Sequence, residues 1–149
     1  MTILYDLELE RVISKISEMD ATRVLLQLPD GMRPFAVQLV STINKATRAS
    51  VFLSGDSCYG ACDIDIIQAR ALNVDLIVHY GHTQYVGDLD VPVLYIHASI
   101  DIDVDRLVEA TLPELEGYNR IGLATTVQHV HQVDEIKEKL AEKGVDGLI

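Results

Sequence analysis

Short continuous apolar runs alternate along the chain with stretches in which apolar residues recur every three or four positions, a pattern that predicts strands alternating with helices. Over residues 6–18, Leu7, Leu9, Val12, Ile13 and Ile16 mark the apolar face of an amphipathic helix. The run Arg23 to Leu28 predicts a strand that breaks at Pro29-Asp30-Gly31. A second helix is expected from near Arg33 to Lys45, with Phe35, Val37, Leu39, Val40 and Ile43 available for packing. Strand 50–54, helix 63–72, strand 75–79 and strand 91–97 follow. A helix over about 103–115, capped by Asp101 or Asp103 and closed by Gly117, leads to a strand at 120–124. Helix 130–143 ends at Gly144, and Val145 to Ile149 begin a further strand.

Apolar strands separated by helices predict an α/β fold, a mostly parallel sheet flanked by helices on both faces with right-handed crossovers. The 149 residues suit a single α/β domain over 1–149, whose only linker-like stretch is Gly87-Asp88-Leu89-Asp90. A stop inside a predicted strand would leave an unpaired edge, so the chain reads as a fragment of a longer protein.

The carboxyl ends of those strands collect the unusual polar residues. Asp30 and Gly31 follow the first strand, Cys58 and Cys62 the second, His79 and His82 the third, His97 the fourth, and Gln128, His129 and His131 the fifth. In an open parallel sheet these ends form one rim, where ligands bind. The run Gly55-Asp56-Ser57-Cys58-Tyr59-Gly60-Ala61-Cys62-Asp63 reads as a strand-to-helix turn. Its glycines permit tight backbone geometry, and a helix dipole there would favour a thiolate.

Composition narrows the chemistry. Twenty-three acidic against 12 basic residues give a formal charge of −11, which argues against nucleic acid and anionic lipid as partners. No apolar run is long enough to cross a membrane. The start Met1-Thr2-Ile3-Leu4-Tyr5-Asp6 lacks the basic region of a signal peptide, and two cysteines without such a signal point to the reducing cytoplasm. Zinc could be held by Cys58, Cys62 and two of His79, His82, His129 and His131, although neither paired Cys-x-x-Cys knuckles nor His-Glu-x-x-His is present. Iron–sulfur ligation needs more thiols than one loop supplies, and Asp65 stands where a Cys-x-x-x-Cys-x-x-Cys motif would place its third cysteine.

The cysteine run, then Val78-His79-Tyr80-Gly81-His82, then Thr125-Thr126-Val127-Gln128-His129-Val130-His131-Gln132, together with Gln27-Leu28-Pro29-Asp30-Gly31, occur in one order. In these motifs the chain resembles the archaeal diphthamide biosynthesis enzymes of the first step, the 2-(3-amino-3-carboxypropyl)histidine synthases, over nearly its whole length. The resemblance implies an atypical radical S-adenosylmethionine enzyme with a 4Fe-4S cluster held by three cysteines, one from each of three similar domains. The first domain's ligand lies in Tyr-Gly-Ala-Cys, which assigns Cys62 as a cluster ligand and leaves Cys58 without a required role. The implied reaction is reductive cleavage of the sulfonium-to-γ-carbon bond, with the 3-amino-3-carboxypropyl radical adding to C2 of a histidine on elongation factor 2.

The other two cysteines lie outside this chain, so it is expected to be inactive alone. Gly60, Ala61, His82, Gln128 and His129 are the expected cofactor-binding residues, holding the amino acid moiety of S-adenosylmethionine; no residue is assigned a catalytic role. An electron donor and a homodimer complete what the resemblance implies. The alternatives are a zinc-dependent hydrolase and a non-catalytic α/β binding domain, the latter without a Gly-x-Gly-x-x-Gly or Walker A sequence to support nucleotide binding.

Overall fold

The protein is described by a computed structural model over residues 5–87 and 89–148. Met1 to Leu4, Asp88 of the expected linker and Ile149 of the last strand lie outside the described residues. Two compact units meet in sequence between Ala98 and Ser99.

The first unit is built on four parallel strands, β1 (Arg23–Gln27), β2 (Ser50–Leu53), β3 (Leu76–Tyr80) and β4 (Val93–Ile96), in the order β2-β1-β3-β4. Residues alternate between the two faces of each strand. Val24, Leu26, Leu76 and Val78 pack with Val12 and Ile16 of α1 (Leu9–Glu18) and Leu39 and Ile43 of α2 (Ala36–Ala46). Leu25 and Ile77 face the opposite way, toward Ala69 of α3 (Ile66–Ala71), with Phe52, Ile66 and Leu72 against them. Helices thus cover both faces, as the apolar strand runs require. Burial of each large aliphatic side chain contributes roughly 1.5–3 kcal/mol.

The predicted helices are shortened for local reasons. Asp30–Phe35 forms a 3-10 helix containing Pro34, and regular α-helix begins at Ala36. Asp65 caps α3 by accepting the Gln68 N–H at 3.1 Å, so that helix starts three residues later than its periodicity suggested. The helix expected over 103–115 divides into α4 (Val104–Thr111) and a 3-10 turn at Leu112–Leu115, where Pro113 lacks the N–H that would continue the ladder.

The second unit packs α4 against α5 (Val133–Glu142) through Val104, Val108 and Leu140, with Val145 and Ile121 at the same core. Its strands β5 (Arg120–Gly122) and β6 (Asp146–Leu148) pair in parallel with each other. The fifth strand therefore does not extend the four-stranded sheet, and the expectation of one rim shared by five strands is corrected. A 3-10 helix, Val127–Gln132, occupies the start of the predicted helix 130–143. No helix among the described residues is long and apolar enough to cross a membrane.

Candidate functional site

β1 and β3 are neighbours in the sheet although β2 falls between them in sequence, so the chain reverses its direction of winding at this pair. The crevice at the carboxyl ends of two such strands is where doubly wound folds bind ligands. Gln27 and His79 are register partners at those ends, and Tyr95 of β4 is the next partner beyond His79. Both Gln27 and His79 are buried, and the His79 and Tyr95 rings meet edge to face with centroids 5.5 Å apart.

Gln27 is fixed at both ends of its amide. Its Nε2 donates to the Asp63 carbonyl at 2.6 Å, and its Oε1 accepts the Asp65 N–H at 3.2 Å. His79 Nδ1, 3.0 Å from that same Oε1, must then be the protonated nitrogen, because a carbonyl oxygen can only accept. His79 Nε2 is left with its lone pair, facing His82 Nδ1 at 2.9 Å. Burial, and next the neighbouring His82, push the His79 pKa down to about 4, so the ring is neutral near neutral pH. Burial also lowers His82, against a hydrogen bond to the Tyr80 backbone that raises it. Gly81, at φ 86°, supplies the left-handed turn that brings His82 back to His79.

The cysteine loop runs from Ser54 to Asp65. Ser54, buried at the end of β2, donates its hydroxyl to Asp65 Oδ2 at 2.6 Å. Cys58 is buried, and its N–H donates to the Leu28 carbonyl at 3.4 Å. Burial first, then the Asp63 charge, pushes its thiol up to about 11. Cys62, by contrast, is exposed on a turn closed by the Asp63 N–H to Gly60 carbonyl bond of 3.0 Å. A β-carbon at Gly60 would stand 3.7 Å from the Cys62 sulfur, so the thiol lies over that glycine. Because α3 begins only at Ile66, neither cysteine sits at its amino end, and the expected help from a helix dipole is absent.

Cys58, His79 and His82 each offer a ligand atom, and all three lie within 4.8 Å of one another; Cys62 is not part of that group. An open cleft of about 790 Å³ adjoins the loop, with Asp30, Arg33, Ser57, Tyr59, Asp63 and Asp65 among its lining residues. Arg33 donates to the Gly55 carbonyl at 3.2 Å, and the Ser57 hydroxyl donates to Asp30. Gly60, Ala61 and His82 do not line this cleft.

Of the remaining predicted residues, His97 stands half-buried just after β4 in the first unit, and Gln128, His129 and His131 belong to the second. The Gln128 carbonyl accepts the Ile100 N–H at 3.1 Å, His129 Nδ1 donates to the Ile100 carbonyl at 3.0 Å, and His131 Nε2 pairs with Asp101 at 2.8 Å. Sequence reasoning passed over Gln27 and Asp63 as site residues. Their signal was a polar side chain closing an otherwise apolar strand, and an acid directly after the second cysteine.

The donor set can be weighed against a 4Fe-4S cluster. One exposed thiol on a tight turn suits a single thiolate ligand, while Cys58 is buried among imidazoles, so this chain fits one ligand's share of a cluster. Fold and site together define a doubly wound α/β protein with a thiol and imidazole rim at its switch point. Residues 28–149 match the family described as "Putative diphthamide synthesis protein". The chain is 35% identical over 145 residues to 2-(3-amino-3-carboxypropyl)histidine synthase subunit 1 of Schizosaccharomyces pombe, covering 96% of this chain and 33% of that protein. It is 30% identical to the synthase of Pyrococcus horikoshii, covering 97% and 42% of the two. The crystal structure of Dph2 from Pyrococcus horikoshii with a 4Fe-4S cluster superposes with a TM-score of 0.87 at 29% identity, over 95% of this chain and 42% of that one. The chain belongs to the diphthamide synthesis family. It spans about a third to two-fifths of the length of these relatives.

Proposed function

We propose that this chain is the Cys62-bearing α/β portion of a 2-(3-amino-3-carboxypropyl)histidine synthase, which transfers the 3-amino-3-carboxypropyl group of S-adenosylmethionine to C2 of a histidine on elongation factor 2. The observation that carries the reading is the exposed Cys62 thiol, in a chain with the fold of a Dph2 that holds a 4Fe-4S cluster. Cys62 would supply one thiolate, with the other two ligands from outside this chain. When bound, the cluster supplies the electron that reduces the sulfonium, drawn from a separate electron donor.

The protein's part is to bind, aim and exclude water. The Gly60–Asp63 turn presents Cys62 outward. In the adjoining cleft, Asp30, Asp56, Asp63 and Asp65 outnumber Arg33, a charge balance that suits a cationic sulfonium compound. The Gly60 and Ala61 backbone, beside Cys62, is our candidate to hold the amino acid end. The cytoplasm and a homodimer are the setting proposed with this reading.

The test is anaerobic reconstitution with iron and sulfide of this chain and of the longer native chain, read by visible absorbance and spin resonance. We expect a broad charge-transfer band in the longer chain that is lost in Cys62→Ala, and little or none in the 149-residue chain. A cluster indifferent to Cys62 would overturn the reading.

A further inference from the structure

Cys58, His79 and His82 form a group for which a cluster at Cys62 has no use. We propose that Cys58 Sγ, His79 Nε2 and His82 Nδ1 hold one divalent cation of the zinc type, which ties the cysteine loop to the end of β3. This inference does not depend on the cluster reading.

Three independent features carry it. The first is convergence: the ligand atoms already lie within 4.8 Å of one another, and metal bonds of about 2.0–2.3 Å place tetrahedral ligands roughly 3–4 Å apart. The second is orientation. A metal-bound imidazole characteristically donates its other nitrogen to a fixed acceptor, and Gln27, itself clamped by Asp63 and Asp65, does this for His79 Nδ1 and leaves Nε2 as a lone pair. The third is charge. Asp63 acts electrostatically on all three residues, adding negative potential where a cation would sit. One thiolate and two imidazoles match a borderline-soft ion, and the arrangement leaves a fourth position open.

Proton balance is simple. Cys58 gives its proton to solvent, and the cation offsets the cost of a buried thiolate. His82 moves its ring proton from Nδ1 to Nε2, exchanging the bond to His79 for one to the metal.

The test uses the whole chain, reduced, stripped with chelator and free of iron and sulfide, titrated with Co²⁺ and then Zn²⁺. We expect one equivalent of cobalt per chain, a near-ultraviolet thiolate-to-cobalt band, visible bands of tetrahedral intensity, and displacement by zinc. Cys62→Ser should keep the band, Cys58→Ser should lose it, and His82→Ala, at a half-buried position, should weaken binding at least tenfold. A band that follows Cys62 instead of Cys58, binding without a thiolate band, or no stoichiometric binding overturns the proposal. If Cys58→Ser fails to fold by circular dichroism, His82→Ala decides: undiminished cobalt affinity in that variant also overturns it.

Discussion

Val78-His79-Tyr80-Gly81-His82 in the first unit and Val127-Gln128-His129-Val130-His131 in the second each place two histidines at or beyond the carboxyl end of a strand, yet the two segments use them differently. In the second unit, His129 bonds the Ile100 carbonyl, His131 pairs with Asp101, and Gln132 bonds both the N–H and the carbonyl of Ile102. Every one of these partners lies in residues 100–102, so this turn is a tether. In the first unit, His79 has one nitrogen committed to Gln27 while the other faces His82, with a thiol close by. A histidine whose partner is a fixed carbonyl fastens backbone. One that faces other lone-pair donors can take a metal or a proton.

The sharpest way to break this comparison is Gln27→Leu. The substitution removes three hydrogen bonds and leaves the His79 Nδ1–H and the Asp65 N–H without their acceptor and the Asp63 carbonyl without its donor. Uncompensated polar groups in a buried setting should cost about 3 kcal/mol in urea denaturation. Cobalt affinity should also fall, by about ten- to a hundredfold, because the imidazole loses the partner that fixes its tautomer. A loss of stability with unchanged cobalt affinity would reduce the first segment to a tether like the second.

Gln132→Leu is the matching change in the second unit. Its amide makes bonds of 2.9 and 3.0 Å to the Ile102 backbone and is almost fully buried. Two lost bonds, partly recovered by water at half-buried Ile102, should cost about 2 kcal/mol. Metal affinity should not move, and a weakened cobalt titration in this variant would show that the division between tether and ligand group is wrong.

The sheet of the first unit was legible because parallel strands buried on both faces leave continuous apolar runs, as in Arg23 to Leu28 and Leu76 to Tyr80. The cysteine loop and the imidazoles at the strand ends were legible for a related reason: polar residues that interrupt such runs have few places to go. Strand order was less accessible. The three-residue strand β5 carries too little pattern to say which sheet it joins, and its partner β6 is equally short. That Cys58 is buried and Cys62 exposed does not follow from the hydrophobic pattern, and only the resemblance separated them, since two thiols four residues apart on a glycine-bearing turn become buried or exposed according to how the loop folds over β1 and β3. Gln27 escaped notice because its role rests on register, which puts it beside His79 across 52 residues of sequence.

The amino ends of the same two strands offer the last and smallest test. There Asp75, just before β3, accepts the Thr22 N–H at 2.6 Å, the Thr22 hydroxyl at 2.9 Å and the Arg23 N–H at 2.9 Å, stitching β3 to β1. Those backbone bonds, the Thr22 N–H first, hold the carboxyl below its ordinary value of 3.8 despite a small opposing effect of burial. The folded state therefore binds protons less readily than the unfolded one. The contribution of Asp75 is complete above the ordinary carboxylate range and is lost as pH falls through the lowered folded value. Asp75→Ala should cost about 1 kcal/mol at neutral pH, since the site is largely solvent-exposed. Denaturation of both proteins across a series of acid pH values should show that gap narrowing as pH falls. A gap that stayed constant would mean that Asp75 acts through its shape and not its charge, leaving the carboxyl end of this strand pair as the end where ionisable groups govern behaviour.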